Sequence, residues 1–350
     1  MEHRAWSKVS FDYPRAVPTM LTDEEKRYLY WLGRFGWDGE GIVVEMGPWL
    51  GGSTVSLAAG MRASGHDARG KLHTVDNFLW RDFMAARARL PLRAGESFEP
   101  YFLENTRAYR DIIVTHARAL PDDAVERDAE TDAKRFTEER AVPRFDGVPG
   151  ENPISILFID GAKSWRGMRH LLRVLAGRLR PGKSLLVCQD FKFWSTYWVP
   201  MMMARLADVV EPVHDVGSGT TVAFRLVRPL PRILLDALED GIAGIDAAEG
   251  QSLLARAGQW LAPDDALGAA HVSLARVRFL AHLGMFDEAR REFLKIQATW
   301  PSHRDVTQVV MAGAFLRKAT GRALPRPLAI SLTFQRQKLE GAWRKRVTRR

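Results

Sequence analysis

The sequence has a single cysteine, Cys188, which excludes an internal disulfide and any cysteine-based metal cluster. It lies in the apolar run SLLVC and reads as a packed core thiol. No apolar run approaches the roughly 20 residues that span a bilayer. The opening residues, MEHRAWSKVSFDYPR, lack the apolar centre of a secretory signal, so a cytoplasmic location is expected. Two nucleotide-binding signatures are also missing. Gly47-Pro48-Trp49 breaks the G-x-G-x-x-G spacing of a dinucleotide fingerprint after the first strand, and the G-K-[ST] of a phosphate loop is absent. No Ser-His-Asp or Cys-His grouping is recognisable, so nothing in the sequence calls for a covalent intermediate.

What is present is ample apolar material, 46% of 350 residues, enough for a large buried core. The formal charge is +9. Such an excess invites a polyanion partner, but much of it sits in the final stretch RQKLEGAWRKRVTRR, without an interleaved aromatic and basic motif. Nucleic acid is therefore not the favoured partner. Leu339, Trp343 and Val347 recur at helical spacing in that tail, which suits either a solvated basic end or peripheral contact with an anionic membrane.

Short apolar runs alternate with segments of helical period, the pattern of an α/β domain with a mostly parallel sheet. Strands are expected at 41–46, 71–76, 111–116, 154–160 and 184–190, followed by a hairpin turning at Gly217-Ser218-Gly219. The fold class expected is thus a Rossmann-like, seven-stranded, mostly parallel sheet ending in an antiparallel hairpin, with an all-helical C-terminal region. The organisation reads as an N-terminal helical extension over 1–40, a main domain over 41–228 with a charged surface insertion at 121–153, and a helical region over 229–350. Within the last, residues of about 270–303 resemble one tetratricopeptide-type helical hairpin, which cannot bury its own face alone and so is expected to pack on the main domain or a second subunit. The aromatic and arginine-rich stretch after the second strand, FLWRDFMAARARLPLRAGESFEPYFLENTRAYR, suits a lid over a cleft.

The first strand runs into EMGPWLGGST, where glycines permit a sharp turn and Glu45 sits at the carboxyl edge of the sheet, the edge at which open α/β sheets bind ligands. The second strand ends at Asp76 in HTVDNF, where an acid can accept hydrogen bonds from ribose hydroxyls. Together with ILFIDGAKSWRGMRHLLRVLAGRLRPG and LLVCQDF, these motifs resemble the successive landmarks of class I S-adenosylmethionine-dependent methyltransferases. Within them they look closest to small-molecule and sugar O-methyltransferases of the macrocin type. The resemblance covers residues from Ile42 to Val227 and stops short of the helical C-terminal region.

Carried over position by position, the resemblance implies that Glu45, Gly47, Pro48 and Gly51 form the cofactor loop, with Ser53 and Thr54 beside it. Asp76 is the ribose-binding acid, Asn77 and Phe78 border the adenosine, Arg118 lies near the adenine, and Asp160 stands between the methionine moiety and the acceptor. The acceptor implied is a hydroxyl of a small molecule or saccharide. Many relatives bind a divalent cation through acids ending the fourth and fifth strands, and Asp160 and Asp190 match those places. Lys163, however, stands where related motifs carry histidine, so Mg²⁺ is not favoured and an ammonium is expected to replace it between Asp160 and Asp190. Asp160, Lys163 and Asp190 are thus the catalytic candidates, with His116 and His170 as reserve bases.

The stretch QDFKFWSTYWVP is crowded with rings, and Trp165, Phe193, Trp194 and Tyr197 are candidates for the acceptor pocket; packing beneath the hairpin, or a dimer surface, is the alternative. Two other functions remain open at this level. One is a cofactor-binding scaffold without turnover. The other is a nucleic-acid methyltransferase, although the N-P-P-Y-type motif of amino-group enzymes is absent. A homo-oligomer is also left open.

Overall fold

The computed structural model describes residues 4–121, 142–162, 164–238, 241–261, 263–303 and 307–321. The basic tail and most of the charged insertion, 122–141, lie outside the described residues.

Five parallel strands, β1 (Ile42–Met46), β2 (Leu72–Asp76), β3 (Ile113–Ala117), β4 (Ile154–Ile159) and β5 (Leu185–Cys188), meet an antiparallel pair, β6 (Val210–Asp215) and β7 (Val222–Leu226). They make one sheet in the order β3-β2-β1-β4-β5-β7-β6. Every residue of β1 is buried, because a central parallel strand is covered by helices on both faces. That is why these strands read as continuous apolar runs. Register places Glu45 of β1 between Thr74 of β2 and Phe158 of β4, one residue short of the carboxyl edge.

Helices in chain order are α1 (Asp23–Trp31), α2 (Gly52–Arg62), α3 (Glu99–Thr106), α4 (Trp165–Leu175), α5 (Trp198–Arg205), α6 (Arg232–Ala237), α7 (Ala247–Gln259), α8 (Ala266–His282), α9 (Phe286–Thr299) and α10 (Thr307–Thr320). α4 starts where the Ser164 hydroxyl accepts the Gly167 N–H at 3.0 Å, and its apolar stripe of Trp165, Met168, Leu171, Leu172 and Leu175 is buried against the sheet. α1 opens on a capping box between Thr22 and Glu25. The second oxygen of Glu25 reaches the hairpin loop, accepting from Thr220 N at 2.9 Å and Thr221 Oγ1 at 2.8 Å, so the N-terminal helix is tied to the far end of the chain's sheet.

Part of the expected surface excursion is core. Phe145 and Val148 are buried with the α4 face, because the chain returns through a parallel bridge between Ala119 and Arg144.

The C-terminal helices pack on the sheet layer and on one another. α7 lies on α5 and α8, and α8 lies against α9 and α10. Trp194, from the loop after β5, shares a buried cluster with Leu274, Val277, Leu280, Phe293 and Leu316. Beneath this contact is a buried ion triad: Lys192 Nζ donates to Asp215 Oδ1 at 2.6 Å, Asp265 Oδ2 at 2.7 Å and the Val216 carbonyl at 2.8 Å. Asp265 also caps α8 by accepting the Gly268 N–H at 2.8 Å. One ammonium therefore joins the loop after β5, the end of β6 and the start of α8.

Candidate active site

The carboxyl ends of β1, β2, β4 and β5 open into a cleft of about 1020 Å³. Its floor depends on a close approach of two loops. The N–H groups of Asp160 and Gly161 both donate to the Met46 carbonyl, at 2.9 and 2.7 Å. Gly47 has φ of +83°, and a Cβ there would lie 2.6 Å from the N and Cα of Gly161. Only glycine satisfies both the left-handed backbone and the contact. Gly51, at φ +94°, opens α2, whose first turn brings Ser53 to the cleft. Trp49 (φ +44°) and Asp190 (φ +65°), two non-glycine residues in the left-handed region, also line the cleft, so backbone strain is concentrated there.

Glu45 is wholly buried under this loop. Its Oε2 accepts the Thr54 hydroxyl at 2.7 Å, while Oε1 has no hydrogen-bond partner among the described residues. Burial pushes its carboxyl up to about 7, against the hydroxyls of Ser53 and Thr54 and with Asp160 and Asp76 adding repulsion. Asp76, at the end of β2, accepts the Phe78 N–H at 2.9 Å. Burial raises it to about 6, partly offset by that backbone donor and by Arg81. Asp160 and Asp190 line the same cleft. Asp190 is held by its backbone, its carbonyl accepting from Thr196 Oγ1 at 2.6 Å.

Among the cofactor-loop and adenosine candidates, Gly47, Pro48, Ser53, Asp76, Asn77, Arg118 and Asp160 line the cleft. Gly51, Thr54, Glu45 and Phe78 support it from beneath: Phe78 packs between Phe98 and Phe102 at ring distances of 5.5 and 5.3 Å. Lys163 lies outside the described residues. Among the described residues no group of three or more His, Cys, Asp and Glu is arranged to hold a metal ion.

The acceptor-pocket aromatics divide. Phe193 lines the cleft, as does Trp198. Trp165 does not: it is 1% exposed and donates its indole N–H to the Leu238 carbonyl at 3.0 Å. Tyr197 is equally buried, against Trp198, Phe279 and His282, and Trp194 serves the contact with the C-terminal helices. Docking of α7, α8 and α10 on this stretch consumes rings that the sequence offered to a substrate. The reserve bases are elsewhere too. His116 stacks on His73 with Nε2 and Nδ1 3.0 Å apart, and His170 is held by the Phe145 carbonyl at 2.7 Å. Neither lines the cleft.

Sequence reasoning missed the far wall. Leu267, Gly268, His271 and Arg278 of α8, with Thr307 and Gln308 of α10, line the cleft together with the strand ends. Here the backbone N–H of Trp194, an unambiguous donor, lies 2.7 Å from Gln308 Oε1, which fixes the amide orientation. Gln308 Nε2 then donates to His271 Nδ1 at 2.9 Å, so in the neutral ring the proton resides on Nε2. The wall also receives Arg81, Phe83, Met84 and Arg87 from the stretch after β2, whose Trp80, Ala88 and Phe98 pack with Trp49 and Leu50. The signal available in the sequence was a lysine, Lys192, inside an aromatic run. A cation there needs buried partners, and those partners fix where the helices dock.

The strand order with a terminal antiparallel hairpin, the glycine loop after β1 and the acid ending β2 define a class I methyltransferase architecture. Residues 44–191 match the family model described as a methyltransferase domain. That match spans less than half of the chain, and together with the sheet order it supports a class I S-adenosylmethionine-dependent methyltransferase. Solved structures similar to it include cofactor-bound Rv0187 from MTB, at 15% identity and TM-score 0.35, covering 63% of this chain and 85% of that one. Another is the apo form of CalS11, a TDP-rhamnose 3'-O-methyltransferase of calicheamicin biosynthesis, at 13% identity and TM-score 0.35, covering 57% and 76%. No curated protein matches. The residues fit the cofactor: the unsatisfied Oε1 of Glu45 lies below the glycine loop, and the Asp76 side chain lines the cleft at the end of β2. No helix among the described residues is long and apolar enough to cross a membrane.

Proposed function

We propose that this methyltransferase acts on a hydroxyl oxygen of a small molecule or saccharide. The observation that carries the reading is the pairing of Asp160 and Asp190, beyond the ends of adjacent parallel strands, with the apolar faces of Phe193 and Trp198 on one cleft. Carboxylates accept hydrogen bonds from a hydroxyl and can take its proton, and aromatic faces suit a sugar ring. When bound, S-adenosylmethionine supplies a methyl group made electrophilic by a sulfonium. Glu45, Asp76 and the loop from Gly47 to Ser53 would hold it. On the acceptor side, Asp160 or Asp190 receives the hydroxyl hydrogen and directs an oxygen lone pair into the cleft. Positioning of this kind supplies much of the acceleration in a direct displacement.

The methyltransferase unit in this reading is 41–228, and the helical region from 229 completes its acceptor wall. Radiolabelled methyl transfer over a panel of hydroxylated small molecules and saccharides tests it. Asp160→Asn and Asp190→Asn should each lower kcat about 100-fold with cofactor affinity within about threefold of the parent. Transfer to amines or thiols but to no hydroxyl would overturn it. Lys163→Met tests the remaining expectation, that an ammonium beside Asp160 orients the acceptor: unchanged turnover at saturating acceptor would remove the lysine from the account.

A further inference from the structure

The ionisable groups of the cleft come from different elements. Asp76, Asp160 and Asp190 sit at strand ends, and Glu25, which also lines the cleft, is committed to Thr22, Thr220 and Thr221. The cations come from other elements: Arg81 and Arg87 from the stretch after β2, Arg118 from the end of β3, and Arg278 from α8. Arg118 donates to the Ala117 carbonyl at 2.9 Å. Arg278 lies 4.6 Å from the centroid of the Phe315 ring, which fixes the guanidinium plane and leaves its N–H edges to act in that plane. Neither Arg87 nor Arg278 forms an ion pair with a carboxylate among the described residues. Phe83, 63% exposed, and Met84 stand beside Arg87 at the cleft and give that wall an apolar surface between its charges.

A sulfonium cofactor does not account for this wall. Its positive centre belongs with the acids, and its single carboxylate does not answer four arginines, Arg81, Arg87, Arg118 and Arg278. We propose that the methyl acceptor carries an anionic group, a phosphate or a carboxylate, received by Arg87 from the stretch after β2 and Arg278 from α8 while its hydroxyl reaches Asp160 and Asp190. Planar guanidinium forks match either anion with paired hydrogen bonds, and a cleft that excludes part of the solvent strengthens them. The helical C-terminal region is then a specificity element: α8 brings Arg278 to the acceptor, and the Lys192 triad holds α8 in place. This inference rests on the methyltransferase reading of the same cleft.

The test is calorimetry on the full-length protein saturated with S-adenosylhomocysteine. The probes are glucose 1-phosphate, glucuronate and methyl glucoside, a phosphate, a carboxylate and a neutral sugar. At least one anionic probe should bind about tenfold or more tightly than the neutral one, and Arg87→Ala and Arg278→Gln should each weaken it about tenfold. Homocysteine-cofactor affinity should stay within about twofold in both variants, which shows that they fold. The relative strength of the phosphate and carboxylate arms identifies the anion. Equal binding of charged and neutral probes, no binding of either anion at about 10 mM, or anion binding unchanged in both variants would overturn the proposal. Failure of the parent protein to bind S-adenosylhomocysteine would instead overturn the cofactor site on which it rests.

Discussion

Replacing Lys192 by methionine keeps the side-chain volume and removes one charge, and the consequence follows from the burial of its partners. The lysine, Asp215 and Asp265 side chains are 0%, 1% and 3% exposed, and the ammonium touches both carboxylates within 2.7 Å. Without it, two carboxylates face each other in a site that water does not reach. Breaking a buried pair by removing one partner costs about 3–5 kcal/mol, and leaving two like charges puts this variant at the upper end. Much of that is relieved if one carboxylate takes up a proton and shares it with the other. The deficit relative to the parent should therefore be largest near pH 8 and shrink as pH falls towards 5, the direction expected when the folded variant binds more protons than its unfolded chain. Urea unfolding followed by tryptophan fluorescence reads this, since Trp194 and Trp260 lie near the docked helices. A companion variant, Lys192→Met with Asp215→Leu and Asp265→Ser, keeps a cap on α8, removes every charge, and should recover most of the loss. A cost below about 1 kcal/mol for Lys192→Met at pH 8 would refute the reasoning, because it would mean that the triad is solvated.

Three further outcomes are expected. Glu45 and Asp76, raised by burial to about 7 and about 6, make the free protein less stable as pH rises through the window from the ordinary carboxylate range to those values, since the native state holds their protons longer than the unfolded chain. S-adenosylmethionine favours their ionised forms, so its affinity should increase from pH 5.5 to 7.5 with proton release, visible by calorimetry in buffers of different ionisation enthalpy; pH-independent affinity would contradict the assignment. Gly47→Ala adds a Cβ 2.6 Å from Gly161 backbone atoms at a positive φ, so cofactor affinity should fall at least about tenfold; unaltered binding would show that the two loops separate at no cost. Gln308→Glu preserves shape and the bond from Trp194 N but replaces the donor to His271 Nδ1 by an acceptor. It should move the imidazole proton to Nδ1, seen in ¹⁵N shifts, and raise the acceptor KM several-fold while cofactor affinity holds.

The sheet was legible because β1, β2, β4 and β5 are covered on both faces, which forces apolar runs whatever the rest of the chain does. Each expected strand lies within two residues of the observed one at either end. Asp76 and Asp160 were legible for a related reason: an acid immediately after a buried strand has only the carboxyl edge to occupy. The aromatic run after β5 was not, since a ring serves a cleft or a core equally well by sequence. Its fate is set by contacts with helices far along the chain, Lys192 with Asp265 being 73 positions apart. Trp165 illustrates the same limit. It follows a functional loop yet starts α4, whose buried stripe claims it. Arg278 and His271 were invisible as site residues because only the docking of α8 brings them to the cleft.

The central claim is that the carboxyl edge of this sheet is an S-adenosylmethionine site held by a buried acid pair. Titration of S-adenosylhomocysteine into the parent protein and Asp76→Ala at pH 7.5 tests it most directly. The account predicts saturable one-to-one binding to the parent and a loss of about tenfold or more on removing the Asp76 carboxylate. Equal affinity in the two proteins would contradict it.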